Sequence, residues 1–241
     1  MLNKIHIKNY AGIKDLEIKD FKRINLFVGD NGVGKTTVLN CINNNHDPVC
    51  MICNKSNNED YFTASWRVLL SGDKKQQLLR IMKFVEIMKE FEPRLVGFEK
   101  NSSDEIDIVM NDQSRVHIRE MGSGFLWFLR FLLTIDFMGD APAILCIDEI
   151  DNGLHYSKQE YFWKTMFGFL KQRKNLQIFA TTHSYDMIKA LSEVFEESGK
   201  ADLGEDEIRL FTMLKDERGI VVGDYGAELI AAKVQSGIEV R

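Results

Sequence analysis

A glycine-rich segment near the start of the chain has the residue types and the spacing of a phosphate-binding loop. Gly29–Thr36 directly follows a predicted strand, and a helical pattern continues from Thr37. Glycines let backbone amides face the phosphates of a nucleotide, and the positive end of the following helix points at them. We therefore predict phosphate contacts from Gly29, Asn31, Gly32, Val33, Gly34, Lys35, Thr36 and Thr37.

Two residues at the end of this loop have distinct predicted roles. Lys35 is expected to meet the β- and γ-phosphates, and the Thr36 hydroxyl is expected to ligate Mg²⁺. This pattern arises by chance in on the order of one chain in a hundred of this length, given average composition. An ordinary glycine-rich turn is the alternative interpretation.

An acidic pair follows an apolar run in the second half of the chain. Residues 143–147 have the composition of a buried strand, and Asp148 and Glu149 come directly after it. Because α/β sheets bind ligands at the carboxyl ends of their strands, Asp148 is predicted to hold Mg²⁺. Glu149 is predicted to orient and deprotonate an attacking water. Strands often end in charged residues, so a plain strand end is the alternative.

The elements around these motifs are predicted from apolar periodicity. Strands at residues 4–8, 16–19 and 23–28 are expected to form a small opening sheet, and residues 43–60 an irregular loop. A helix over residues 74–91, stopped by Pro93, and two strands at 95–99 and 105–110 follow. The rest alternates, with helices at 124–138, 157–171 and 185–197 and strands at 143–147, 176–180, 208–215 and 219–222. Such alternation predicts parallel βαβ units.

Composition limits the class of protein. The 241 residues are 44% hydrophobic and 28% charged, which fits one globular unit and excludes collagen-like and disordered classes. The longest apolar run, residues 125–138, is too short to span a bilayer, and the N-terminus has no signal-peptide pattern. We therefore expect a cytoplasmic protein with no membrane partner and with its four cysteines reduced. The net charge of −5 means that any DNA contact needs a local basic patch.

The order of these motifs resembles the head of an ABC-type ATPase. A third element supports this, because the apolar strand at 176–180 leads into Thr181, Thr182, His183 and Ser184. In that family a histidine at this place contacts the γ-phosphate, so the resemblance implies that role for His183. A structural histidine within a capping loop is the alternative.

Longer stretches narrow the resemblance. Residues 121–126, 147–157 and 180–184 are similar to OLD-like and Septu-type bacterial ATPases, which are related to the heads of SMC-type DNA-repair proteins. The resemblance covers roughly residues 1–40 and 91–241. It implies an α/β P-loop NTPase fold, an ABC-ATPase-like two-lobed head with mixed and mostly parallel sheets. It also implies ATP and Mg²⁺ as cofactors and a homodimer that sandwiches ATP.

In such dimers the signature segment of one protomer caps the ATP bound to the other. Here Gly122 stands where the signature serine is expected, while Ser123 and Gly124 remain as γ-phosphate contacts across the interface. Asp151 follows the acidic pair where relatives carry Glu, and Ala11 replaces an expected arginine. These departures predict slow turnover. A helix cap at Ser123 and a surface loop at Asp151 are the alternatives.

We predict a single ABC-type ATPase domain over residues 1–241. Its lobe I spans about 1–115, with a shortened insertion at 43–91 in place of a coiled-coil arm, and its lobe II spans about 116–241. No nuclease cluster follows, so ATP-dependent dimerisation is expected to gate a separate effector protein, a nuclease or a toxin, in phage defence or DNA maintenance. A non-hydrolysing nucleotide-sensing scaffold and a transporter nucleotide-binding subunit are the alternative functions.

Three further groups of residues are weaker candidates. His46, Cys50 and Cys53 have a spacing that is plausible for a zinc site. The alternative is that the cysteines are reduced thiols packed in the core. Gln76 and Gln77 are candidates for the Mg²⁺-sensing glutamine. The alternative is that both are solvated helix residues without that role. One helix face is basic and is interpreted either as a DNA contact or as an ordinary solvated surface. It is formed by Lys74, Lys75, Arg80 and Lys83.

Overall fold

The computed structural model describes residues 1–46, 48–52, 72–102, 105–204, 206–217 and 219–236. The strands are β1 (Ile5–Tyr10), β2 (Ile13–Ile18), β3 (Ile24–Val28), β4 (Val49–Ile52), β5 (Leu95–Lys100), β6 (Ile106–Met110), β7 (Arg115–His117), β8 (Ala143–Ile147), β9 (Leu176–Thr182), β10 (Ile208–Asp216) and β11 (Gly219–Gly226). The helices are α1 (Lys35–Asn45), α2 (Lys74–Met88), α3 (Ser123–Met138), α4 (Gln159–Gln172), α5 (Tyr185–Val194), α6 (Lys200–Leu203) and α7 (Ala227–Gln235). Short 3₁₀ helices cover Ile118–Glu120 and Tyr156–Lys158, and a π-helix covers Phe195–Gly199.

The chain folds into two compact units. The first unit is Met1–Lys55 with Asp140–Asp151 and Gln159–Arg241, and the second unit is Ser56–Gly139 with Asn152–Lys158. These bounds differ from the expected lobes because β5 to β7, α3 and the segment after Asp151 form one discontinuous unit. That the whole chain is a single ATPase domain stays a prediction.

The first unit is built on a six-stranded sheet in the order β11-β10-β3-β9-β8-β4. The pairs from β10 to β4 are parallel, and only β10 and β11 pair antiparallel. A separate antiparallel pair joins β1 and β2. The predicted α/β fold with a mixed and mostly parallel sheet is therefore confirmed.

Two sequence expectations about the first unit are wrong. β3 does not join β1 and β2 but lies between β10 and β9, because all five of its side chains are buried and need cover on both faces. The irregular loop is expected at residues 43–60, of which 47 and 53–60 lie outside the described residues; the described part contains β4, which pairs in parallel with β8. Four residues after a proline carry too little periodicity to predict a strand, so only its partner reveals it.

Aromatic rings form the core of the first unit beside the central strands. Phe21 makes edge contacts with Phe179 and Phe211, at ring-centroid distances of 4.9 and 5.4 Å. Phe27 on β3 stacks on Phe211 at 5.3 Å. These contacts fix β3, β9 and β10 side by side, so the loops after them are anchored at one edge of the sheet.

The second unit contains the antiparallel sheet β5-β6-β7 and the helices α2 and α3. The predicted β5–β6 pair is confirmed, whereas the three-residue β7 was missed since Arg115–His117 has a single apolar residue, too few to show alternation. The N-cap of α2 is Asp73, whose side chain accepts a hydrogen bond from the Gln76 amide. None of the helices in the described ranges is long and apolar enough to cross a membrane.

Candidate nucleotide-binding site

The glycine-rich loop joins the end of β3 to the start of α1. Gly29 has φ of 139°, and a Cβ there would lie 2.3 Å from the Met213 carbonyl oxygen, so only glycine fits. Gly34 precedes α1 with φ of 102°, and a Cβ there would lie 2.9 Å from the Ile220 side chain. No side chain caps α1, which leaves its first amides available to an anion.

Lys35 is folded back onto the loop that precedes it. Its Nζ donates to the carbonyl oxygens of Gly29 at 2.6 Å and Asp30 at 2.8 Å, and the residue is buried. Burial lowers the pKa of Lys35, and the carboxylates led by Asp148 oppose that change. A buried ammonium held by carbonyl dipoles is a charge available to phosphate oxygens.

The loop and the acidic pair meet, as the sequence predicts. The Thr36 hydroxyl donates to the Asp148 carboxylate, at 3.0 Å from Oδ1 and 3.1 Å from Oδ2. The Asp148 amide donates to the Ile52 carbonyl, which ties the residue to the end of β4. A hydroxyl and a carboxylate at this spacing are hard oxygen donors and fit the ligand preference of Mg²⁺.

Glu149 follows Asp148 in a left-handed backbone conformation, with φ of 54°. Its amide donates to the Thr181 hydroxyl at 2.8 Å, and that hydroxyl donates to Asp148 Oδ1 at 2.7 Å. Its side chain is exposed at the cleft defined below. Sequence reasoning missed Thr181, although a hydroxyl at the carboxyl end of a buried strand is a usable signal.

His183 lies beside Asp151 after β9. The His183 Nε2 is 4.0 Å from Asp151 Oδ2, and the His183 side chain is 57% exposed. Thr182 donates from its hydroxyl to the other Asp151 oxygen and accepts from the Ser184 amide at 3.0 Å. Asp151 is thus fixed beside the histidine, while the histidine ring stays accessible.

A cleft of about 530 Å³ runs along these residues, and we call it the nucleotide cleft. Its walls include the predicted residues Asn31, Gly32, Gly34, Lys35, Thr36, Thr37, Asp148, Glu149 and His183. Gly29 and Val33 are buried beneath the loop instead. The β1–β2 and β10–β11 hairpins also contribute, through their turns and adjoining strand residues at 11–15, 215–217, 219 and 220. Apart from position 11, where the motif resemblance implies a phosphate contact, sequence reasoning missed these hairpins because their distance from the loop depends on strand order.

The predicted signature residues belong to the second unit. α3 begins at Ser123, which is exposed, and its N-cap residue Gly122 makes no side-chain cap hydrogen bond. Gly124 lies against the loop after Asp151, since a Cβ there would be 2.5 Å from the Gly153 carbonyl oxygen. Neither Ser123 nor Gly124 is among the residues that line the nucleotide cleft.

The weaker candidates receive less support. Cys53 lies outside the described residues, and within the described ranges no three His, Cys, Asp or Glu side chains are grouped to hold a metal ion. Burial raises the pKa of Cys146 to about 12 and also raises that of Cys50, as expected for thiols in a core. Gln76 and Gln77 form the capped first turn of α2, where the Gln77 side chain donates to the Gly72 carbonyl at 2.9 Å.

Residues 1–65 and 67–188 match a protein family described as the AAA ATPase domain. The chain belongs to this family. An AAA ATPase domain implies ATP binding, so the prediction of an ATPase is confirmed at the level of the family. A curated relative, the "ATP/GTP phosphatase" of Helicobacter pylori, is 27% identical over 144 residues, which are 58% of this chain and 37% of that protein. The chain therefore spans little more than a third of that relative.

Solved structures share the fold of this AAA ATPase domain. An SmcHead bound to the C-winged helix domain of ScpA has a TM-score of 0.61 and 14% identity, over 94% of this chain and 98% of that one. The ABC transporter component cbiO1 from Clostridium perfringens has a TM-score of 0.58 and 12% identity, over 95% of this chain and 89% of that one. The SMC head domain from Thermotoga maritima has a TM-score of 0.51 and 12% identity, over 92% of this chain and 98% of that one. The chain thus has the P-loop fold of SMC heads and ABC ATPases.

Proposed function

We propose that this chain binds ATP with Mg²⁺ in the nucleotide cleft and hydrolyses it slowly. The observation that carries the proposal is the hydrogen bond between Thr36 and Asp148, which unites the phosphate loop with the acidic pair. Glu149 follows directly and lines the same cleft. Nucleotide binding and water activation are therefore available within one site.

The proposed reaction is attack of water on the γ-phosphate. Lys35 and the α1 amides bind the phosphates, and Thr36 and Asp148 hold Mg²⁺. Bound Mg²⁺ supplies positive charge against the negative charge that develops on the phosphates. Glu149 takes a proton from the water as its oxygen bonds to phosphorus and the bond to ADP breaks. His183 contacts the γ-phosphate.

We propose that hydrolysis needs a second copy of the chain. Ser123, Gly124 and Asp151 then face the ATP bound to the partner, as the resemblance to OLD-like and Septu-type ATPases implies. The exposed Ser123 at an uncapped helix N-terminus supports this proposal. Gly122 and Ala11 stand where relatives carry phosphate contacts, so turnover below roughly 10 per second is expected.

We further propose that dimerisation gates a separate effector, a nuclease or a toxin, in phage defence or DNA maintenance. The support is the motif resemblance and the SMC-like fold. A DNA contact through the α2 face of Lys74, Lys75 and Lys83 has only their exposure in its favour.

The test measures phosphate release and mass in solution, by light scattering, with and without ATP and Mg²⁺. Glu149→Gln is compared with wild type and with Glu193→Gln, which changes an exposed glutamate on α5 outside the cleft. We expect Glu149→Gln to release no phosphate and to become a stable dimer only with ATP. Wild type and Glu193→Gln should both release phosphate. Hydrolysis that is unchanged in Glu149→Gln contradicts the assigned role.

The same experiment distinguishes the alternative functions. A nucleotide-sensing scaffold binds ATP and changes mass without phosphate release in any variant. Turnover of the isolated chain well above about 10 per second would favour a transporter subunit. If neither the mass in solution nor phosphate release changes when ATP is added, the proposal of an ATP-gated dimer is contradicted.

A further inference from the structure

We propose that Thr181 is a positioning residue for hydrolysis, one that fixes Asp148 and Glu149 together through a single hydroxyl group. The proposal rests on the proposed function, because it assumes that these two carboxylates act on ATP and its metal. Thr181 makes no contact with substrate in this proposal. It acts only through the two residues that do.

Strand register brings Thr181 to the acidic pair. β8 and β9 are parallel, and Ile147 pairs with Ala180, so Asp148, directly after β8, lies beside Thr181 near the end of β9. The Thr181 hydroxyl donates to Asp148 Oδ1 at 2.7 Å, and its carbonyl accepts from the Ile150 amide at 2.9 Å. One completely buried threonine therefore contacts the residues on both sides of Glu149.

The hydroxyl also holds the Glu149 backbone. The Glu149 amide donates to Thr181 Oγ1 at 2.8 Å, and Glu149 has φ of 54°. A residue with a side chain in the left-handed region is strained and persists only where its surroundings determine it. The hydrogen bond from this amide is one such determinant, and it aims the Glu149 side chain at the nucleotide cleft.

Proton accounting fixes the direction of these hydrogen bonds. A hydroxyl has one proton, and Thr181 Oγ1 already accepts from the Glu149 amide, so its proton goes to Asp148. Asp148 therefore accepts from two hydroxyls, those of Thr36 and Thr181. If the Thr36 hydroxyl were to hold Mg²⁺, the Thr181 hydroxyl would remain as a second partner that positions the Asp148 carboxylate.

Two nearby threonines show that this arrangement is specific to Thr181. Thr182 directs its hydroxyl to Asp151 instead. Thr212 on β10 is also buried, and its hydroxyl has no hydrogen-bond partner among the described residues. Thr212→Val is therefore a matched control that removes a buried hydroxyl without removing a hydrogen bond.

The kinetic test compares Thr181→Val, Thr181→Ser and Thr212→Val with wild type. We expect Thr181→Val to lower kcat at least about 10-fold while KM for ATP stays within about twofold, because the phosphate loop is untouched. Thr181→Ser keeps the hydroxyl and should retain kcat within about threefold, and Thr212→Val should match wild type. Equal losses in Thr181→Ser and Thr181→Val, or an unchanged kcat in Thr181→Val, overturn the proposal.

A second readout does not require hydrolysis. The Glu149 amide should be protected from hydrogen exchange in wild type and Thr181→Ser, and about 10-fold less protected in Thr181→Val. Thr181→Ala removes the same hydroxyl and is used if the valine disturbs folding, as judged by thermal melting. Exchange that is unaffected by loss of the hydroxyl overturns the proposal. An inactive wild type that shows the exchange effect instead overturns the proposed hydrolysis and leaves the positioning of Glu149 in place.

Discussion

Polar groups are hydrogen-bonded to different extents in two regions of the molecule. One region is the edge of the six-stranded sheet in the first unit, and the other is the start of α3 in the second unit. At the sheet edge, Thr36, Asp148 and Thr181 are hydrogen-bonded to one another, and Lys35 is held by loop carbonyls. At the start of α3, Ser123 is exposed and no side chain caps the helix. The first region is preorganised by its own chain, whereas the second offers amides to a group from outside it.

Helix capping sharpens this comparison. α2 and α5 begin with side-chain caps, from Asp73 and Ser184. α1 and α3, the helices with predicted phosphate contacts, begin after glycines that provide no such cap. α7 also begins after a glycine, Gly226, without a side-chain cap, so a start of this kind leaves amides available to an anion but does not by itself mark a phosphate site.

The largest expected effect tests the preorganised region. Lys35→Ala removes the buried ammonium of the loop, so ATP affinity should fall about 100-fold, or about 3 kcal/mol. Calorimetry with ATP and Mg²⁺ measures it. Lys174→Ala changes an exposed lysine outside the cleft and should bind as wild type does. If the two variants bound ATP with equal affinity, the assignment of the phosphate site to the first unit would be wrong.

The next effect concerns the shape of the same loop. Gly29→Ala places a Cβ 2.3 Å from the Met213 carbonyl oxygen in a backbone conformation that glycine alone adopts freely. Unfolding free energy should fall by about 2 kcal/mol or more, measured by denaturant titration. Stability equal to wild type would mean that the loop adapts and is not preorganised.

A smaller effect tests the second region. Gly124→Ala places a Cβ 2.5 Å from the Gly153 carbonyl oxygen and should displace the start of α3. We expect hydrolysis to fall about 10-fold with ATP affinity within about twofold, since the altered contact acts on ATP bound to the partner.

The control for this change is Gly168→Ala. A Cβ at Gly168 meets no atom within 4 Å, and alanine is the better helix former, so hydrolysis should be unchanged. If Gly124→Ala weakened ATP binding as much as Lys35→Ala, the division of roles between the two regions would be wrong.

The smallest effect concerns the strand beneath the acidic pair. Burial raises the pKa of Cys146 to about 12, so at pH 8 only about one thiol in ten thousand is ionised. N-ethylmaleimide at pH 8 should leave Cys146 unmodified in the native protein and label it in urea, as peptide mass spectrometry would show. Rapid native labelling would indicate that β8 opens and that the sheet edge is not rigid.

Local patterns predicted the parts of the site that lie within one stretch of chain. The strand, loop and helix around Lys35 and the strand before Asp148 follow from composition and spacing, and the hydrogen bond from Thr36 to Asp148 confirms that they meet. The family match confirms the type of domain. The individual catalytic and binding roles stay predictions until they are measured.

What sequence reasoning missed depends on neighbours distant in the chain. β4 is four residues long and is defined by pairing with β8. Thr181 matters because strand register places it beside Asp148; its position near the carboxyl end of a buried strand is a signal, but the sequence does not show which carboxylate it contacts. The hairpins that contain Lys14 and Lys215 reach the cleft through strand order, which periodicity does not encode.

The central position of β3 also has a consequence during synthesis. Ile24 pairs with Ile178 on one side and Ile208 on the other, so both neighbours of β3 emerge from the ribosome long after it. At about 5–20 residues per second, this apolar strand waits roughly 8–30 seconds for its first partner. Until then its hydrogen-bonding edges are open to other chains, and a nascent chain halted before β9 is the form most exposed to aggregation.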